Sequence, residues 1–250
     1  AEKFLNIKSR AGHFEPDAVV IVATVRALKL HGGASADNLT EENLDALREG
    51  IKNLEKHMET IETFGLPYVI AINKFPTDTE AEINFIENWC EERGVDVSLA
   101  EIWAKGGEGG IDLAEKVVRK AESAERNFKR IYDLEDSLET KIRKIAQKVY
   151  GAKDIELSPL AKQQAEYFAK QGWDQLPVCM AKTQYSLSDN PTLLGRPEGF
   201  TISVRELRPS IGAGFIVALT GDMLTMPGLP PKPAALNMDV TKDGKAVGLF

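Results

Sequence analysis

The sequence predicts an α/β fold: a parallel sheet with flanking helices, then a small helical segment, then a C-terminal, mainly antiparallel β region. Three observations lead there. Short β-branched runs without polar alternation take turns with amphipathic stretches from residue 16 to 124, the pattern of strands covered on both faces and joined by helical crossovers. The pattern changes near Arg126. From Phe200 onward, apolar and polar residues alternate between glycines, as in half-exposed antiparallel strands. The expected organisation is residues 1–125 as an α/β ligand-binding domain, 126–195 as a helical and α/β second domain, and 196–250 as a small β-rich domain.

In chain order, Ala18-Val19-Val20-Ile21-Val22-Ala23 follows Pro16-Asp17 without a polar residue and reads as a central parallel strand. After the His31-Gly32-Gly33 loop, Leu44, Leu47, Ile51, Leu54, Met58 and Ile61 recur at steps of three and four. They predict a long amphipathic helix capped by Thr40 and ending near Gly65. Pro67-Tyr68-Val69-Ile70-Ala71-Ile72 repeats the buried-strand pattern, and Thr77 with Glu80 predicts a capping box for the next helix. A strand is expected over 95–99, with 100–102 as its extension, and a helix after the glycines at 106–110.

Farther on, Leu138, Ile142, Ile145 and Val149 predict a helix stopped by Gly151, and Ser158-Pro159 is a cap with proline in the first turn. A buried strand is expected over 177–181. Strands over 201–207 and 214–219 pair most simply as antiparallel neighbours, residues 226–231 are too proline-rich for regular structure, and Asp243-Gly244 suggests a last hairpin.

Composition narrows the partners. A net charge of −7 argues against a general nucleic-acid binder, because neutralising phosphates needs a basic face. No apolar run approaches the roughly 20 residues that span a bilayer, so no membrane partner is expected. The two cysteines, Cys90 and Cys179, fall in a helical and a strand pattern, poor material for a disulfide framework. A cytoplasmic, reducing setting is the expectation. The chain opens at Ala1 and enters structured sequence at once, which reads as a piece of something longer. His13, His31 and His57 have no ligand spacing, so no metal site is expected.

Two turns concentrate the polar and aromatic residues. The first is Asn73-Lys74-Phe75-Pro76-Thr77-Asp78-Thr79-Glu80, at a strand-to-helix junction, and the second is Trp103-Ala104-Lys105-Gly106-Gly107-Glu108-Gly109-Gly110. In an open α/β sheet ligands sit beyond the carboxyl ends of the strands, so two such turns predict a crevice. The Asn73 amide offers a donor and an acceptor to a purine edge, or bonds backbone at a strand end. Phe75, stiffened by Pro76, and Trp103 suit a flat ligand lying between them, or serve as core filler. Gly106 and Gly107 present backbone amides to an anion, or form a connector. His31 sits in a cleft-type loop, and Lys182 and Thr183 gather hydrogen-bonding groups after a buried strand, where polar strand ends are common. No segment reads G-x-x-x-x-G-K-[ST], so no phosphate-binding loop of that kind is present and no catalytic residue is identified.

With these residues identified, the sequence resembles the formate–tetrahydrofolate ligase family along essentially its whole length. The blocks that carry the resemblance include Val19 to Lys29, His31-Gly32-Gly33, Asn53-Leu54-Glu55-Lys56-His57, Ala71-Ile72-Asn73 and Phe75-Pro76-Thr77-Asp78-Thr79-Glu80. Trp103 to Gly110, Ala181-Lys182-Thr183-Gln184-Tyr185-Ser186, Thr225-Met226-Pro227-Gly228-Leu229-Pro230 and Gly248-Leu249-Phe250 complete them.

The resemblance implies a P-loop NTPase-like α/β portion and ATP-dependent joining of formate to tetrahydrofolate through formyl phosphate, giving 10-formyltetrahydrofolate, ADP and phosphate in one-carbon metabolism. It implies folate stacking on Phe75 and Trp103 beside Pro76, and a nucleotide near Asn73, with Lys182 and Thr183 as further contacts. Magnesium would accompany ATP, with a monovalent cation as a further candidate, and the assembly would be a homo-oligomer. The phosphate-binding loop and the arginine that holds formyl phosphate belong to an N-terminal half that is absent from this sequence, so the chain alone is expected to be inactive. Two other readings stay open, a non-catalytic nucleotide or folate-binding module and half of a GTPase. Pro76, standing where a guanine-reading Asp would be, counts against the second.

Overall fold

A computed structural model describes residues 1–123, 127–221, 223 and 232–248. The proline-rich stretch at 226–231, Thr225, the last two residues and the junction at 125–126 lie outside the described residues. Mixed α/β architecture is observed, as expected. A π-helical turn, Phe4–Lys8, runs into α1 (Ser9–Gly12), which ends at His13 in the left-handed region, φ 51°. Then come β1 (Val19–Ala23), α2 (Val25–His31), α3 (Leu44–Thr63), β2 (Tyr68–Asn73), α4 (Glu80–Glu91), β3 (Val97–Ala100), α5 (Ile102–Lys105) and α6 (Ile111–Ser123). After these follow α7 (Leu138–Ile145), β4 (Asp154–Leu157), α8 (Pro159–Lys170), β5 (Val178–Ala181), β6 (Thr201–Ser210) and β7 (Phe215–Thr220). The hairpin expected around Asp243-Gly244 is formed by β8 (Asp239–Val240) and β9 (Ala246–Val247).

The first sheet is parallel with order β1-β2-β3, and its register sets Ala23 opposite Ile72 and Asn73 opposite Ala100. All three strands therefore end at one level, and the turns that follow them adjoin. The second sheet has order β4-β6-β7-β5, in which β6 and β7 are the expected antiparallel pair and β4 and β5 add in parallel at the two sides. One apolar core lies among α2, α3, α4 and the first sheet, around Leu47, Ile51, Ile70, Ile72 and Ile86. A second joins the later helices and the second sheet to the end of α3 through Ile61, Phe64, Ile142, Met180 and Ile202.

Four local expectations are corrected. Asn43, not Thr40, caps α3: its Oδ1 accepts the Ala46 amide at 2.9 Å, because a cap must directly precede the first helical residue. The capping box of α4 is Thr79 with Glu82, not Thr77 with Glu80. Both pairs have the right spacing, but Asp78 Oδ2 accepts the Phe75 amide at 2.8 Å and holds residues 75–78 in a turn that delays the helix. The third strand stops at Ala100, and Ile102, expected as the end of its extension, instead opens a short helical turn that carries Trp103. Among the described residues β1 is an edge strand, not a central one, and its Val20 and Val22 are exposed. An all-apolar run reports what a strand can bury, and this side has no neighbouring strand among the described residues.

Candidate substrate-binding crevice

The candidate site lies beyond the carboxyl ends of β1, β2 and β3. Its floor is continuous backbone, since the Lys74 amide donates to the Ala100 carbonyl at 3.1 Å, one step past the last paired residues. Glu101 then ties the two turns together: one carboxylate oxygen pairs with Lys74 at 3.1 Å and the other with Lys105. The bonds from Lys105 and Lys74 hold the Glu101 carboxyl below the usual carboxylate range.

The glycine run is shaped by two of its members. Gly106 has φ 60°, a left-handed conformation that glycine adopts without strain. Gly109 passes so close to Glu101 that a Cβ would stand 2.5 Å from its carbonyl, and the Glu101 amide donates to the Gly109 carbonyl at 3.0 Å. The glycines thus fold back onto the end of β3 and leave Trp103 85 % exposed. A Trp so open to water covers no core of its own.

On the other turn, Phe75 is half-buried and its amide is anchored by Asp78. Burial raises the Asp78 carboxyl, partly opposed by the Phe75 amide. The Arg26 guanidinium, in the first turn of α2, lies over the Phe75 ring, 5.1 Å from its centre. The Asn73 side-chain amide makes no hydrogen bond among the described residues, so the bland alternative, a strand-end bond to backbone, is not what is seen.

The chain brings Asn73, Phe75, Pro76, Trp103, Gly106 and Gly107 onto two adjoining turns. The remaining sequence-identified residues lie elsewhere. Lys182 and Thr183 follow β5 of the second sheet, where the buried Lys182 ammonium donates to the carbonyls of Thr183 and Ser188, each at 2.9 Å, and to that of Ser186. It also lies 4.9 Å from the centre of the Tyr150 ring, and burial lowers its pKa to about 8. His31 ends α2, and its Nδ1 accepts the Gly195 amide at 3.0 Å, so the proton of the neutral ring sits on Nε2.

Sequence reasoning missed Arg26. Nothing in the string Thr24-Val25-Arg26 marks it; only the close fit of α2 against the β2 turn brings it to Phe75. Among the described residues no group of three or more His, Cys, Asp or Glu could hold a metal, and no helix is long and apolar enough to cross a membrane.

The fold defines the class: an α/β protein with a parallel sheet, an architecture in which ligands are generally received beyond the carboxyl ends of the strands. Compared with known protein families, the chain matches formate–tetrahydrofolate ligase over residues 1–250. It belongs to that family, whose members are ligases of folate one-carbon metabolism that use ATP and tetrahydrofolate.

Proposed function

We propose that this chain is the folate-stacking part of a formate–tetrahydrofolate ligase that works through formyl phosphate. The observation that carries the reading is the pairing of the widely exposed Trp103 with Phe75 on adjoining turns, in a chain of this family. Phe75 and Trp103 take the two faces of the pterin ring system, with Pro76 keeping the Phe75 turn stiff. Stacking is worth on the order of 1 kcal/mol per ring beyond area burial, enough to orient the ring. Asn73, with its amide free, faces the nucleotide base.

In the reaction, a formate oxygen attacks the terminal phosphorus of ATP and ADP leaves. N10 of tetrahydrofolate then attacks the formyl carbon. An N–C bond forms, the C–O bond to phosphate breaks with its electron pair going to phosphate, and the amine proton is given up to phosphate or solvent. Formyl phosphate hydrolyses readily, so positioning and exclusion of water are the tasks of the residues in this chain.

We assign the phosphate-binding loop, and with it the magnesium that accompanies ATP, to a separate N-terminal portion, since no segment of this sequence reads G-x-x-x-x-G-K-[ST]. A surface for that portion is the side of β1 that has no neighbouring strand among the described residues. There Val20 and Val22 are exposed above a groove of about 370 Å³ that also reaches Glu2, His57 and Tyr150. A parallel strand added at this edge would cover the valines and supply the neighbour that an all-apolar β1 suits. The complete enzyme is read as a cytoplasmic homo-oligomer, and we read Lys182 as the organiser of its own loop.

The test is equilibrium binding of tetrahydrofolate to the complete ligase carrying Phe75→Ala or Trp103→Ala. Each variant is expected to bind folate about tenfold more weakly, from the stacking and area lost. Unchanged affinity in both would remove the clamp.

A further inference from the structure

We infer that Arg26 is a second anion-binding residue of the crevice, receiving the phosphoryl group of formyl phosphate beside the folate clamp. The inference rests on the clamp reading above and on three observations.

The first is position. Arg26 lies in the first turn after β1, at the sheet end where the turns of β2 and β3 converge, and its guanidinium stacks 5.1 Å from the centre of the Phe75 ring. The second is an unmet bonding group: Arg26 Nε is buried and has no hydrogen-bond partner among the described residues. A buried donor without an acceptor costs free energy that a bound anion would recover. The third is the charge inventory of these turns. Lys29 is paired with Glu82, and Lys74 and Lys105 are both paired with Glu101. Arg26 has no ion pair among the described residues. Asp78 is close enough to feel its charge but spends one oxygen on the Phe75 amide.

A guanidinium offers a planar fork of donors that fits two oxygens of a phosphoryl group. Geometry selects that anion over the carboxylates of the folate tail. The tail is separated from the pterin ring by the aminobenzoyl spacer, whereas N10, the amine that is formylated, is one methylene from the ring, and Arg26 stands at the ring's proposed seat. As N10 attacks the formyl carbon and the C–O bond breaks, the electron pair goes to the phosphate oxygen, and a fork at this place would hold the phosphate as its charge grows.

The reverse reaction of the complete ligase, with inorganic phosphate as probe, isolates this role. In 10-formyltetrahydrofolate, ADP and phosphate, Arg26→Gln is expected to raise the KM for phosphate on the order of tenfold or more, the equivalent of one charged hydrogen bond. The KM for 10-formyltetrahydrofolate should stay within about twofold, and Arg26→Lys should recover part of the loss. An unchanged phosphate KM overturns the proposal. So does a rise confined to the folate KM, which would make Arg26 mere backing for Phe75 while leaving the clamp intact. If the Gln variant does not fold, Arg26→Lys decides alone: it keeps the stem and charge, and a several-fold rise in phosphate KM is expected. Failure of the clamp itself appears separately, as unchanged folate affinity in Phe75→Ala and Trp103→Ala, and that result removes this proposal with it.

Discussion

Lys29 and Glu82 form a 2.8 Å ion pair whose side chains are 1 % and 0 % exposed. The pair joins α2 to the start of α4 and so brackets the Phe75 turn. Glu82 Oε1 also accepts the Asn43 amide at 3.0 Å, and Oε2 accepts the Thr79 amide at 3.2 Å, while Lys29 donates to the Glu41 carbonyl at 2.7 Å. Every polar atom of the pair is thus occupied, the condition under which a buried ion pair is tolerated. Burial pushes the Glu82 carboxyl up, but the bonds from Lys29, Asn43 and Thr79 outweigh it and the net shift is down.

Lys29→Met is therefore expected to cost about 3–5 kcal/mol of unfolding free energy, because it strands a buried carboxylate. Adding Glu82→Gln should return part of the loss, since it removes the stranded charge while the single amide oxygen still accepts from one of the two amides, Asn43 or Thr79. Urea unfolding of the single and double variants checks this, and a single variant as stable as wild type would remove the pair from the account of the turn.

Where α2 crosses α3, backbone meets backbone. A Cβ on Gly50 would stand 1.7 Å from the Leu28 carbonyl oxygen, and one on Gly32 equally close to that of Ala46. In an exposed helix Gly→Ala would gain up to about 1 kcal/mol of helix propensity. Here the helices would have to separate, an overpacking cost of about 1–3 kcal/mol. Gly50→Ala is expected to lower the urea midpoint, and because α2 carries Arg26 and Lys29, to loosen the crevice as well. An unchanged or raised midpoint would contradict the close crossing.

Glu2 is 4 % exposed, and burial pushes its carboxyl up to about 7, opposed first by Lys3. A carboxyl whose folded pKa is raised binds its proton more tightly when folded. Its contribution is fully present below the unfolded value of 4.5 and is lost as pH rises through about 7. The shift corresponds to about 3 kcal/mol at the upper limit. His57 is pushed in the opposite sense, downward, by the protein packed around it, so any contribution is present above 6.5 and lost as pH falls, but its side chain is itself exposed. His57 also lines the open groove, so solvent should weaken its effect. The difference in stability between wild type and Glu2→Gln, followed from pH 4 to 8, is expected to move steadily against wild type as pH rises. A difference independent of pH would refute the raised carboxyl.

Local pattern made much of this protein readable. The run at 68–73 is a strand because β-branched residues without polar alternation suit burial on both faces, the apolar run at 178–181 is one that buries Val178 and Met180, and Ser158-Pro159 opens α8 because serine and proline satisfy a helix start locally. The same logic could have found β4: Asp154-Ile155-Glu156-Leu157 alternates cleanly, with Ile155 and Leu157 buried. Where two local solutions competed, the string alone did not choose. Thr77/Glu80 and Thr79/Glu82 have identical spacing, and only the Asp78 bond to Phe75 selects the second.

The sequence by itself determined the α/β class, the strand-to-helix turns at 73–79 and 101–110 and the family, because propensity, apolar period and motif act over a few neighbouring residues. Tertiary structure alone decided that these turns adjoin, through the Asn73–Ala100 register and Glu101, and that Arg26 lies on Phe75 with a buried donor left unmet. It also decided that β1 has no second neighbour among the described residues and that Lys182 turns into a cage of carbonyls. These are contacts between segments far apart in the chain, and they depend on packing and register, which no window of neighbouring residues encodes.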